Sequence, residues 1–102
     1  MPRRRPEPRR LATLEGDDLR RAVLDVLADW PDHRWPVAQI VRQLAAEGRQ
    51  PGGDRPCRVV ADVVWAEIAD GRIRQAGLAA YRLTDGELAA RGAGRASLAA
   101  AG

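Results

Sequence analysis

Apolar side chains recur at three- and four-residue spacing between Asp17 and Trp30, so that Leu19, Val23, Val26, Leu27 and Trp30 share one face and predict a first helix. Glu15, Asp17 and Asp18 stand at its entry, where acids complement the positive end of a helix dipole, and Pro31 closes it. Asp17 and Arg21, then Arg21 and Asp25, are four apart, which predicts exposed ion pairs of about 0.3 kcal/mol each on the outer face. Trp35 and Pro36 make one or two extended residues. Val37, Ile40, Val41 and Leu44 then mark a short amphipathic second helix that ends at Gly48.

Pro51, Gly52 and Gly53 force a turn within residues 49–55, after which Asp54 in the N-cap position and Pro56 in the first turn open a third helix. On a helical wheel Val60, Val64, Cys57, Ile68 and Ala61 form one sector, with Arg55, Arg58, Asp62 and Ala69 opposite. Gly71 stops this helix. Arg72 to Gln75 alternates polar and apolar, Ala76 and Gly77 turn the chain, and Leu78 to Leu83 returns, which predicts a hairpin. Tyr81 and Leu83 take one face of the return strand and Arg82 the other. Thr84 and Glu87 spell a capping box for a brief helix to Arg91, ahead of Gly92 and Gly94.

Composition divides the 102 residues into three parts. Residues 1–14 read as a basic, Arg/Pro-rich flexible arm, residues 15–91 as one small folded domain, and residues 92–102 as an Ala/Gly-rich tail expected to be disordered. There is no Phe, and about twenty Leu, Ile, Val, Trp and Tyr side chains are left to build a modest core. The longest apolar runs are four residues, as in 63–66, against the roughly twenty needed to cross a bilayer. Arg and Pro fill residues 1–10, where a secretory signal would be apolar after its basic start; a cytoplasmic protein is expected.

Chemistry is sparse. Cys57 is the single Cys and cannot close an internal disulfide, and with His33 as the single His no ordinary four-ligand zinc site assembles. Nucleophilic catalysis would have to use Cys57 or Ser97, with His33 some two dozen positions from Cys57. The expectation is a protein that is not an enzyme, carries no metal or cofactor and shows no evident small-molecule ligand. Cys57 in the apolar sector of the third helix reads as a small buried thiol. Trp30 and Trp35 read as core anchors in preference to stacking platforms for single-stranded bases. Trp65 stands at the border of its apolar sector, and His33 caps or flanks a turn.

The order helix, short extended piece, helix, turn, helix, two-stranded hairpin resembles a winged helix-turn-helix: mainly α with a small β-hairpin, three helices plus a two-stranded wing. Its most specific words are Ile68, Ala69, Asp70, Gly71, Arg72, Ile73 and then Tyr81, Arg82, Leu83, Thr84, Asp85, Gly86, which look like the wing of MarR-type and PadR-type bacterial regulators. The resemblance covers roughly residues 17–91. It implies double-stranded DNA as the partner, with the third helix in the major groove and the wing on neighbouring backbone or minor groove.

Charge along the chain is segregated. Residues 1–10 carry +4, residues 11–33 carry −4 and residues 34–84 carry +3 within a net charge of +3. Phosphates would repel the first helix and attract the third helix, the wing and the arm. Arg55 and Arg58 are the candidates for base edges or flanking phosphates, because a planar guanidinium donates two parallel hydrogen bonds to guanine. Arg72, Arg74 and Arg82 would be wing phosphate contacts, and Arg3, Arg4, Arg5, Arg9 and Arg10 an arm along the backbone or minor groove. Asp62 lies on the same stripe, either pairing with Arg58 or accepting from cytosine.

The sequence therefore points to a small transcriptional regulator or nucleoid-associated protein without membrane contact. One module of this size reaches specificity by pairing half-sites as a homodimer, or else binds weakly and salt-sensitively. The alternative is a winged-helix protein-docking module without DNA binding, favoured by a net charge of −2 over residues 11–86. A hydrolase using Cys57 is a third reading.

Overall fold

A computed structural model describes residues 11–92. The described residues are mostly helical, with two small two-stranded sheets among them. Its elements are β1 (Ala12–Leu14), α1 (Gly16–Asp29), α2 (Val37–Ala46), β2 (Arg49–Pro51), α3 (Pro56–Ala69), β3 (Ile73–Gln75) and β4 (Tyr81–Leu83). A last helix, α4, covers 85–92.

The three longer helices form where the apolar periodicity places them, because each can bury a stripe against the other two. Leu19, Val23, Val26 and Leu27 of α1 meet Ile40 and Leu44 of α2 and Val60 and Val64 of α3 in one core. Asp17 and Asp18 occupy the first turn of α1, as its dipole favours. The ion pairs on its outer face differ from those expected: Arg20 meets Asp17 at 3.5 Å, three residues apart, and Asp25 is taken by Arg91 of α4 at 3.1 Å.

Trp30 departs from the core role expected of it. α1 ends at Asp29, and Trp30 leaves the helical path at φ −129°, ψ 72°, which swings its ring off the buried stripe to 46% exposure. Trp35 does anchor the core, at 7% exposure.

Gly48 ends α2 with φ +80°, the left-handed conformation that glycine adopts at least cost. The chain then enters β2, which pairs in parallel with β1 in the register Ala12↔Arg49, Thr13↔Gln50 and Leu14↔Pro51. This ribbon is a second sheet that the apolar pattern does not announce. It begins inside the stretch read as arm and turns part of the expected 49–55 turn into strand. Backbone bonds hold it, including Ala12 N–H to Gly48 C=O at 2.8 Å and Gly52 N–H to Leu14 C=O at 3.1 Å. Pro51, buried, is tolerated because a two-stranded ribbon leaves one side of each strand without ladder bonds.

α3 starts one residue later than Asp54 as N-cap would place it. Arg55 is the N-cap and Pro56 stands at the first helical position. Proline drives the residue before it out of the helical region, and Arg55 sits at φ −127°, ψ 78°, so Pro56 sets the boundary. Cys57, expected buried, is exposed. It lies in this first turn, ahead of the level at which Val60 reaches the core.

β3 and β4 pair antiparallel, with Ile73↔Leu83, Arg74↔Arg82 and Gln75↔Tyr81. Ile73, Tyr81 and Leu83 are buried against the helices, and Arg74 and Arg82 take the outer face. The loop is longer than an Ala76–Gly77 turn: Ala76 N–H reaches Ala80 C=O at 2.8 Å, and Leu78 at the tip is 97% exposed. Trp35 joins the far edge of β4 as an isolated antiparallel bridge, exchanging two backbone bonds of 2.8 and 2.9 Å with Tyr81. The extended residue before α2 thus acts as a one-residue third strand. Thr84 Oγ1 accepts from Glu87 N–H at 3.3 Å, which caps α4, and donates to Gly71 C=O at 2.8 Å.

Candidate nucleic-acid interface

Two pairs of arginines face outward. Arg55 and Arg58 are exposed at the start of α3, on a stripe that continues through Asp62, Trp65, Ala66 and Ala69. Arg58 Nε lies 3.4 Å from Asp62 Oδ1, with both side chains largely exposed. An exposed pair of this kind is worth at most about 1 kcal/mol and releases readily to a stronger anion. Arg55 has no ion-pair partner among the described residues.

Arg74 and Arg82 form the second pair, directly opposite each other across the hairpin. Like charges in that register repel, and among the described residues neither arginine has a carboxylate within salt-bridge distance. Arg82 Nε is buried with no hydrogen-bond partner, an arrangement that costs free energy in the isolated chain. The first pair stands at the start of α3, a helix about 20 Å long at 1.5 Å per residue that leads along the chain into the hairpin.

Arg72 belongs elsewhere. Its Nη1 donates to Glu67 Oε2 at 2.7 Å and to Asp70 Oδ2 at 3.1 Å. Glu67 is 1% exposed, and Arg20 Nε of α1 approaches its other oxygen at 3.9 Å. The hydrogen bond from Arg72 to Glu67, and then the charge of that carboxylate, raise the guanidinium pKa above its ordinary value. Arg72 is therefore held inside the protein's own charge network, and we assign it the role of fixing the hairpin to α3 and α1. Glu67 escapes the apolar periodicity because it is an acid. Its signal is positional, seven residues after Val60 and three after Val64, with Arg72 just past the Gly71 stop.

Arg34 joins the candidates on geometry. It is exposed beside the hairpin loop, where a Cβ built on Gly77 would stand 3.7 Å from its Nη1. The sequence signal is that Arg34 immediately precedes the residue that pairs with β4. Trp65, 58% exposed, sets its ring edge-on to Tyr81 with centroids 6.5 Å apart, which joins the outer stripe of α3 to the hairpin. Arg3, Arg4, Arg5, Arg9 and Arg10 lie outside the described residues.

No group of His, Cys, Asp and Glu suited to hold a metal ion occurs among the described residues. No helix among them is long and apolar enough to cross a membrane. No known protein family, curated protein or solved structure matches the chain.

Proposed function

We propose that this protein binds double-stranded DNA as a winged helix, with the first turn of α3 in the major groove and the β3–β4 wing on adjacent phosphates. The element order supports the fold, with a helix, an extended residue, two further helices and a two-stranded hairpin in sequence, and the Trp35–Tyr81 bridge ties that extended residue to the hairpin. One observation carries the function: Arg74 and Arg82 are set side by side on the outer face without a carboxylate among the described residues. That pairing is unfavourable for the ribbon alone and becomes favourable when phosphates neutralise it. Arg55 and Arg58 serve the groove, Arg34 joins the wing contacts, and the arm arginines add sequence-independent affinity. A small regulator or nucleoid-associated protein is the corresponding role, with a homodimer supplying two half-sites.

The test is a titration of a labelled random-sequence duplex by anisotropy at low and raised salt. The expected result is binding that weakens as salt rises. Binding absent at low salt overturns the reading.

A second reading, a protein-docking module, is favoured by Trp65 and Leu78, two large apolar side chains exposed on α3 and on the wing tip. It predicts the opposite outcome of the same titration.

A further inference from the structure

Between the end of α1 and the outer face of α2 lies a groove of about 360 Å³, lined by Trp30, His33, Trp35 and Gln43. Its walls are three aromatic rings set at angles. The indoles of Trp30 and Trp35 are 5.7 Å apart at 58°, and the His33 ring meets Trp35 edge-on at 4.6 Å. His33 is held in place by Nε2 and Gln39 Oε1, 2.8 Å apart, and Gln43 is held by donating to Glu47 Oε2 at 2.9 Å. The groove is a preformed aromatic corner, with Trp35 buried and Trp30 and His33 open to solvent.

Its electrostatics select a cation. α1 ends here with no basic residue in its last turn, so the negative end of its dipole is uncompensated, and Asp29 adds a full charge. Asp29 and Asp32, next in the chain to Trp30 and His33, are exposed and have no ion-pair partner among the described residues. Arg34, the basic residue nearest in sequence, reaches toward Gly77 of the hairpin loop. Indole faces attract guanidinium groups, and angled aromatic walls also receive proline rings held in an extended backbone.

The chain itself supplies a segment with both features. Residues 1–10 hold five arginines, three prolines and one glutamate. The parallel register of β1 on β2 brings residue 12 to Gly48, just past the last turn of α2. Gln43 stands five residues earlier, about 7 Å along that helix. Ten residues extend to about 30 Å, ample to reach the groove.

We infer that the Arg/Pro segment of residues 1–10 docks on the Trp30–His33–Trp35 groove of its own chain, with arginine and proline side chains against the indoles and Asp29 and Asp32 as counter-charges. So held, the arm is withdrawn from other polyanions, and a duplex would have to displace it. The docking itself stands without the DNA-binding reading.

The test uses the full chain and the indole N–H signals of its three tryptophans in a nitrogen–proton correlation spectrum, assigned through Trp30→Phe and Trp65→Phe. A variant carrying Arg3→Gln, Arg4→Gln, Arg5→Gln, Arg9→Gln and Arg10→Gln is compared with the wild type. The expected result is that the Trp30 and Trp35 signals move while that of Trp65, which also reports folding, stays in place. Raised salt should move the wild-type signals in the same direction. Superimposable spectra overturn the proposal. So does a shift that grows with protein concentration, which would place the arm on a second copy.

Discussion

Arg72 and Glu67 form the shortest ion pair among the described residues, 2.7 Å from Nη1 to Oε2, and they unite three elements. Glu67 projects from α3 into the core, Arg20 approaches it from α1, and Arg72 begins the hairpin, its own N–H donating to Glu67 C=O at 2.9 Å. Removing the cation is expected to harm the protein more than neutralising the acid, because Arg72→Ala leaves a buried carboxylate with Arg20 alone at 3.9 Å. Glu67→Gln keeps the shape and leaves a cation that water can reach. Urea midpoints should fall in the order wild type, Glu67→Gln, Arg72→Ala; the reverse order of the two variants contradicts this account.

The same pair fixes a pH expectation. The Arg72 pKa is raised by Glu67, so its contribution is complete below the unfolded value and is lost only as pH rises through the higher folded one. Both lie far above neutrality. Urea midpoints of wild type and Arg72→Ala, compared at pH 7 and pH 9, should differ by the same amount; a gap that closes by pH 9 would show that the pair does not behave as described.

Cys57 is exposed at the second position of α3, with Arg55 and Arg58 on either side of it in the chain. A water-soluble maleimide is expected to label it in the folded protein at a rate close to that in urea. Cys57→Ser should change stability by no more than about 0.5 kcal/mol, as surface substitutions do. Protection of the native thiol by a factor of a hundred would place it back in the core.

The helical body was legible because each helix buries an uninterrupted stripe, and Leu19, Val23 and Leu27, Ile40 and Leu44, and Val60 and Val64 are both the periodic residues and the core. The hairpin was legible from the alternation of Ile73, Tyr81 and Leu83 with Arg74 and Arg82. Other features left no such trace. β1 and β2 are three residues each and pair through backbone groups, which carry no side-chain pattern. Trp30 lies past the end of α1, where a wheel that assumes continued helix assigns the wrong direction, and Cys57 lies in the first turn of α3, where a wheel does not show that the helix has yet to reach the core. Of the candidate site, the exposure of Arg55, Arg58 and Arg74 could be read from their wheel or strand positions, whereas the diversion of Arg72 to Glu67 required knowing that an acid lies buried.

Leu44 is fully buried where α2 meets the core, and Leu44→Ala is expected to cost about 2–5 kcal/mol. Domains of this kind have total stabilities of about 5–15 kcal/mol, so the variant should be partly unfolded at 37 °C or close to it. Urea denaturation followed by far-ultraviolet circular dichroism checks this, and a loss under 1 kcal/mol would mean that the site is less well packed than described.

Arg74 and Arg82 give a prediction in which stability and binding move in opposite directions. Because the two cations face each other and Arg82 Nε is buried without a partner, Arg82→Met should leave the fold as stable as the wild type or more so. Arg74→Ala should be close to neutral for stability. In the DNA-binding reading each substitution removes a phosphate contact, which weakens binding to all sequences alike and lowers the slope of log affinity against log salt by about 0.9. Melting curves and a salt series on one duplex measure both quantities on the same samples. Unfavourable charge placement maintained for a polyanion requires both results together: a variant that is more stable and binds as before would mean that the outer face of the hairpin does not meet phosphate, and the exposed Trp65 and Leu78 would then direct attention to a protein partner.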